Sequence, residues 1–154
     1  MDVITFGQKE QNQHYITRSA VYAVMCDPQT DKIAVIQKKD GKLFLPGGGI
    51  EANETPEECL KREVLEETGM DVNIGDFIGR ANQYFYSQNE TTYYLNEGQF
   101  YRCDAGEEVQ SPIEDDHVLQ WIDPADAIDH LFHEHQRWTV QNALKKKYKS
   151  VQKK

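Results

Sequence analysis

Between Thr55 and Gly69 the chain carries a complete set of helix punctuation. Thr55 can act as N-cap, Pro56 suits the first helical position, and Glu58 completes a T-x-x-E capping box. At the far end Gly69 can turn left-handed, with Met70 available for the hydrophobic contact that accompanies such a cap. A helix is therefore predicted from Pro56 up to Gly69, and the neighbouring segments must pack around it. Upstream, "YITRSAVYAVMC" from Tyr15 and "KIAVIQK" from Lys32 are rich in β-branched and aromatic residues, which predicts two strands that pair. "LPGGGIEANETP" reads as a loop because glycine and proline punctuate it. Downstream, "VNIGDFIGRANQYFY", "TTYYLNEGQFYRC" and "HVLQWI" predict further strands, with Gly79 as a bulge and Asn96 to Gly98 as a bend. Asp123 and Pro124 resemble the start of a helix, and a last helix is predicted from about His135 to Lys149.

The predicted helix places Glu63, Glu66 and Glu67 on adjoining parts of one face. Helix stability gives no reason for this. Glu63 and Glu67 form a like-charged i,i+4 pair costing about 0.2 to 0.5 kcal/mol, and Glu66 and Glu67 lie near the negative helix end. Arg62, four residues from both Glu58 and Glu66, offsets only part of the repulsion. A hard divalent cation could neutralise the rest, since magnesium takes carboxylate oxygens and bridges to substrate phosphates. The competing explanation is a solvated acidic helix face, and the cluster alone does not exclude it.

The wider spacing does more. The sequence Gly48-x5-Glu54-x7-Arg62-Glu63-Val64-x-Glu66-Glu67-x-Gly69-Met70 resembles the Nudix box at every defined position, over residues 48–70. The order of elements around the box is similar to a Nudix domain as well. That resemblance implies an α/β fold, a Nudix-type α/β/α sandwich around a mixed β-sheet, with residues 1–154 forming a single domain. It also implies hydrolysis of a nucleoside diphosphate linked to another moiety, with Mg2+ or Mn2+. Carried onto this chain, Glu63, Glu66 and Glu67 would hold metal, Arg62 and Glu54 would brace helix and loop through an ion pair, and Gly48 would let the loop turn tightly. A fourth acidic ligand or a general base is expected from Glu114, Asp115 or Asp116. Glu63 is the first candidate base and Glu67 the second, because crowded carboxylates raise one another's pKa.

Outside the box the residues bear on substrate. Gly47, Gly48 and Gly49 are candidates to border it. Triphosphate-cleansing relatives often carry an aromatic before Pro and a Lys after the paired glycines, where this chain has Leu45 and Gly49. ADP-ribose-cleaving relatives tend to have a downstream Pro where Tyr84, Phe85 and Tyr86 stand here. Tyr86, sixteen residues past Met70, is where dinucleoside polyphosphate hydrolases tend to have a Tyr. Tyr84 and Tyr86 share a strand face and could stack a base or fill a core, while Lys38, Lys39 and Arg80 could contact phosphate or stay solvated. A nucleoside triphosphate or dinucleoside polyphosphate is the favoured substrate, with nucleotide sugars, ADP-ribose and a non-catalytic nucleotide sensor as alternatives.

The net charge of -9 argues against a nucleic-acid groove, which needs clustered Lys and Arg. Cys26, Cys59 and Cys103 form neither a disulfide framework nor a zinc pattern, so a reducing, cytoplasmic setting is expected. Cys59 reads as a small apolar filler beside the acidic face. No membrane span is expected, and the partner is a small-molecule nucleotide. The oligomeric state is open, with a homodimer as one option. His130, His133 and His135 in "HLFHEH" read as surface histidines, and the terminal "KKKYKSVQKK" as a basic tail.

Overall fold

The computed structural model describes residues 3–113 and 116–152, with side chains as far as residue 145. The elements run β1 (Ile4–Phe6), β2 (Tyr15–Cys26), β3 (Ile33–Gln37), β4 (Leu43–Phe44), β5 (Gly47–Gly49), α1 (Pro56–Thr68), β6 (Met70–Ser87), β7 (Thr92–Glu108), β8 (Val118–Ile122), α2 (Pro124–His130) and α3 (Glu134–Gln152). The strands form one mixed sheet ordered β1-β6-β7-β2-β3-β4, with β5 added to β2 and β8 to β3. The β2–β7 ladder is parallel and the β6–β7 ladder antiparallel.

Six consecutive residues of β2, Ala20 to Met25, are buried, which a strand achieves only when both faces of its sheet are covered. The period of two divides them. Ala20, Tyr22 and Val24 join a core with Ala127, Leu131, Val140 and Ala143 of the C-terminal helical region. Val21, Ala23 and Met25 join a second core with Cys59, Leu60 and Val64 of α1. Helices thus pack on opposite faces, giving the α/β/α layering. Full burial of Leu60 and Val64 is worth roughly 1.5–3 kcal/mol each, and this anchors α1 to the sheet.

The caps of α1 form as the sequence predicts: Thr55 and Glu58 make both capping-box bonds, and Gly69 is left-handed with φ 76°. Gly79 falls at a register shift. Two expectations are corrected. Gly47–Gly49 is a strand rather than loop, because its backbone pairs antiparallel with Ala20–Tyr22. Asn96 to Gly98 does not bend; it lies in β7 with partners on both sides, Arg18 to Ala20 and Ala81 to Gln83, and the two ladders override turn propensity. β2 and β3 pair antiparallel as the sequence predicts, through Cys26 and Ile33, while β5 and β7 take the rest of β2. No helix among the described residues is long and apolar enough to cross a membrane.

Candidate active site

The acidic residues of α1 meet the glycines of β5. The Gly47 amide donates to Glu67 Oε1 at 2.9 Å, which holds this carboxylate, only 5% exposed, against the strand. Gly48 lies under Glu63 so closely that a Cβ there would come 2.8 Å from the Glu63 carboxyl carbon. Gly47, at φ 144°, would drive a Cβ to 2.1 Å from the Val21 carbonyl oxygen. A side chain is therefore excluded at Gly47 by the neighbouring backbone, while at Gly48 it would displace the Glu63 carboxylate.

Arg62 organises the surrounding charge. Its Nε and second terminal nitrogen bond Glu54 Oε2 and Oε1 at 2.6 and 3.0 Å, a two-point pair that ties helix to loop. That bond holds the Glu54 carboxyl well below the usual range, at about 2, helped by the Glu51 amide. The remaining terminal nitrogen bonds Glu63 Oε1 at 3.1 Å and Glu66 at 3.4 Å. Glu63 is pushed up to about 7, first by burial and then by the Glu67 charge, against the lowering effect of Arg62. Cys59, fully buried below this pair, has its thiol pushed up to about 12 by burial and then by Glu54. It is a filler and no nucleophile.

Glu63, Glu67, Gly47 and Gly48 border an open cleft of about 530 Å³. The cleft runs on to Lys38, Lys42, Phe44, Phe85, Tyr86 and Phe132. Lys38 lies over the Phe44 ring at 4.5 Å and Lys42 over Phe132 at 4.4 Å, so two cations stand on the aromatic part of the wall.

Several predicted site residues stand elsewhere. Lys39 and Asp116 border a separate depression, and Asp116 is exposed. Arg80 is exposed opposite Gln99 and does not border the cleft. Tyr84 packs edge-on against Tyr15 at 5.1 Å, because the strand face with Phe85 is the one turned toward the cleft; Tyr86 reaches only its rim. Glu66 and Gly49 do not line the cleft: Glu66 is drawn to Arg62, and Gly49 backs onto the Arg18 guanidinium, 2.5 Å from where a Cβ would stand. Glu114 and Asp115 lie outside the described residues. The surface reading of the histidines fails for two of three. His130 is exposed, but His133 and His135 are 8% and 0% exposed, held among Tyr22, Phe85 and Phe100 by the packing of α3.

Besides Lys42, Phe44 and Phe132, several cleft residues escaped sequence reasoning. Arg18, Tyr22 and Asn96 border the cleft through the β2–β7 register, and His117 places Nδ1 3.5 Å from Glu67 Oε2. The long-range pairing that assembles them leaves no local signal. His117 does neighbour the acidic run at 114–116, where the sequence pointed to the carboxylates instead.

The donor set suits a hard divalent ion: Glu63 and Glu67 bring oxygens to one cleft, Glu66 is adjacent, and burial presses Glu63 toward the protonated form that a cation would relieve. Among the described residues no three acidic, His or Cys side chains converge tightly enough to hold one as they stand.

The NUDIX domain family model matches residues 16–143. The chain belongs to the Nudix family. It is similar to a MutT-like protein of Streptomyces ambofaciens, 43% identical over 47 residues covering 30% of each chain. It is also similar to an ADP-ribose pyrophosphatase of Methanocaldococcus jannaschii, 40% identical over 53 residues, 32% of this chain and 31% of that one. The matched stretches thus span under a third of these curated relatives. Among solved structures, a MutT protein from Methanosarcina mazei superposes with TM-score 0.67 at 20% identity, covering 88% of this chain and 99% of that one, a likeness of fold.

Proposed function

We propose that this Nudix chain is a divalent-metal-dependent hydrolase that cleaves the pyrophosphate linkage of a nucleotide, with nucleoside triphosphates and dinucleoside polyphosphates as the favoured substrates. The observation that carries this reading is the joint placement of Glu63 and Glu67 beside the Gly47–Gly48 backbone in a cleft that continues into aromatic and cationic walls. A purely solvated acidic face would not be buried under a glycine strand. Glu63, Glu66 and Glu67 are the residues to hold the metal, which when bound neutralises phosphate charge as a Lewis acid.

The chain's own groups supply the rest. Arg62 occupies Glu63 Oε1, so Oε2 is the oxygen left to take a proton from the attacking water. Glu67 is fixed by Gly47 and stays close enough to bias Glu63 upward. Lys38 and Lys42 stand ready for the anionic charge of the substrate's far phosphates, and Phe85 and Tyr86 offer rings to a base.

The test is incubation with magnesium or manganese and a panel of nucleoside triphosphates, dinucleoside polyphosphates, nucleotide sugars and ADP-ribose, with products separated by chromatography. Release of a nucleoside monophosphate or diphosphate from at least one class is expected. Binding detected as a thermal shift, without cleavage of any member under either metal, would replace the hydrolase with a nucleotide sensor.

A further inference from the structure

The cleft holds one buried acceptor with nothing to accept. Asn96 of β7 is 4% exposed and borders the cleft. Its Nδ2 donates to the Tyr22 hydroxyl at 2.8 Å, while its buried Oδ1 has no hydrogen-bond partner. Stranded acceptors of this kind are uncommon because desolvation is not repaid, and each calls for a physical account. The surroundings offer none. Tyr22 is stacked on Phe100 at 5.4 Å and meets His135 edge-on at 5.9 Å, so the ring beneath the amide is hemmed in by other rings. The backbone fixes both partners, since Tyr22 pairs with Gly47 in β5 and Asn96 with Arg18 in the β2–β7 ladder. With one N–H of Nδ2 committed to Tyr22, the partnerless Oδ1 is the group of this amide that a ligand donor would satisfy.

The shape of the cleft indicates the donor that fits. Phe85, stacked on Tyr94 at 5.5 Å, borders the same space, and a flat heteroaromatic ligand carrying N–H groups suits a wall of rings with one acceptor. Resting on the hydrolase reading above, we infer that Asn96, held by Tyr22, reads the nucleobase of the substrate, its Oδ1 accepting from a ring N–H or an exocyclic amine. Tyr22 is a positioning residue in this scheme. Its hydroxyl fixes which edge of the amide faces the ligand.

Calorimetric titration of the full chain in magnesium tests the inference, using the 5′-monophosphates of adenosine, guanosine, cytidine and uridine beside ribose 5-phosphate. The intact protein should bind at least one nucleotide more tightly than ribose 5-phosphate. Asn96→Leu should weaken that nucleotide about 3- to 10-fold, the worth of one hydrogen bond, and leave ribose 5-phosphate unchanged. Tyr22→Phe, which keeps the ring, should move the same ratio in the same direction by less. An equal loss for both ligands would assign Asn96 to the sugar and overturn base reading, as would an unchanged ratio. Steady-state assays separate this from the hydrolase reading: intact cleavage with KM unaltered in Asn96→Leu refutes only the role of Asn96, whereas a wild-type chain that neither cleaves nor binds nucleotides refutes both.

Discussion

The acidic face of α1 and the histidine pair around the start of α3, of which His133 borders the same cleft, treat ionisation in opposite ways. On α1, Glu63 and Glu67 sit within reach of each other, and one guanidinium, Arg62, is shared among Glu54, Glu63 and Glu66. Charge is retained there, although Glu63 is pushed up to about 7. His133, just before α3, and His135, in its first turn, meet aromatic rings and each other. Burial pushes them down to about 4 and 3, and Lys38, Lys42 and Arg137 add to the effect on His133. Their rings serve as aromatic packing against Tyr22, Phe85 and Phe100. A buried charge cluster without enough counter-charge is held for a ligand; buried imidazoles without counter-charge simply give up their protons.

The largest expected effect comes from the acidic side. Glu67→Gln keeps an amide oxygen where Oε1 accepts from Gly47, so the strand stays anchored while the charge, and with it the pairing of Oε2 with His117, is lost. Turnover at saturating magnesium should fall roughly 10²- to 10³-fold, about 3–4 kcal/mol of barrier, with the far-ultraviolet spectrum unchanged. Near-normal turnover in this variant would remove the proposed metal role and leave the acidic face unexplained.

The histidine side predicts a smaller effect, in stability. A histidine depressed in the folded state binds its proton first in the unfolded chain. Below the ordinary value of 6.5 the unfolded state therefore gains protons that the native state refuses, and stability is lost as pH falls from 6.5 toward 4 and 3. The cost at the acid end is on the order of 3 kcal/mol per imidazole. Urea unfolding at pH 7.5 and 5 should show it, and His135→Leu, which removes two unpartnered ring nitrogens, should flatten the slope. An equally steep slope in that variant would mean that carboxylates, not His135, carry the acid sensitivity.

The same contrast explains what could be read in the sequence. The helix with its caps and the Glu63, Glu66, Glu67 spacing are local facts, decided within 15 residues by helical period and terminal chemistry. Strand β2 was equally legible because β-branched and aromatic residues mark it as strand and its run from Ala20 to Met25 suits coverage on both faces. Burial of His133 and His135 depends instead on how α3 lies on a sheet assembled from β2, β6 and β7. The same holds for Gly47–Gly49, whose composition says loop while its partner strand says sheet. Asn96, Tyr22 and His117 reach the cleft through register and chain return, which a one-dimensional pattern does not carry.

The smallest expected effect turns the acidic cluster's cost into a measurement. Glu63 has a folded value near 7 against an ordinary 4.5, so between these two the native state binds the extra proton. Stability from this group therefore falls as pH rises through that window, and above pH 7 the penalty is fully present. Glu63→Gln removes the penalty and leaves an oxygen for the Arg62 bond now made at 3.1 Å. Without metal at pH 8 the variant should exceed wild type by about 1–2 kcal/mol in urea unfolding, discounted because the side chain is 16% exposed, and the gap should close toward pH 5. Magnesium should reverse the order, since only the intact cluster gains binding free energy in the native state. If the order at pH 8 does not change with magnesium, then Glu63 is strained for some reason other than a cation, and the contrast between a charge held for a ligand and a charge surrendered to burial fails on the acidic side.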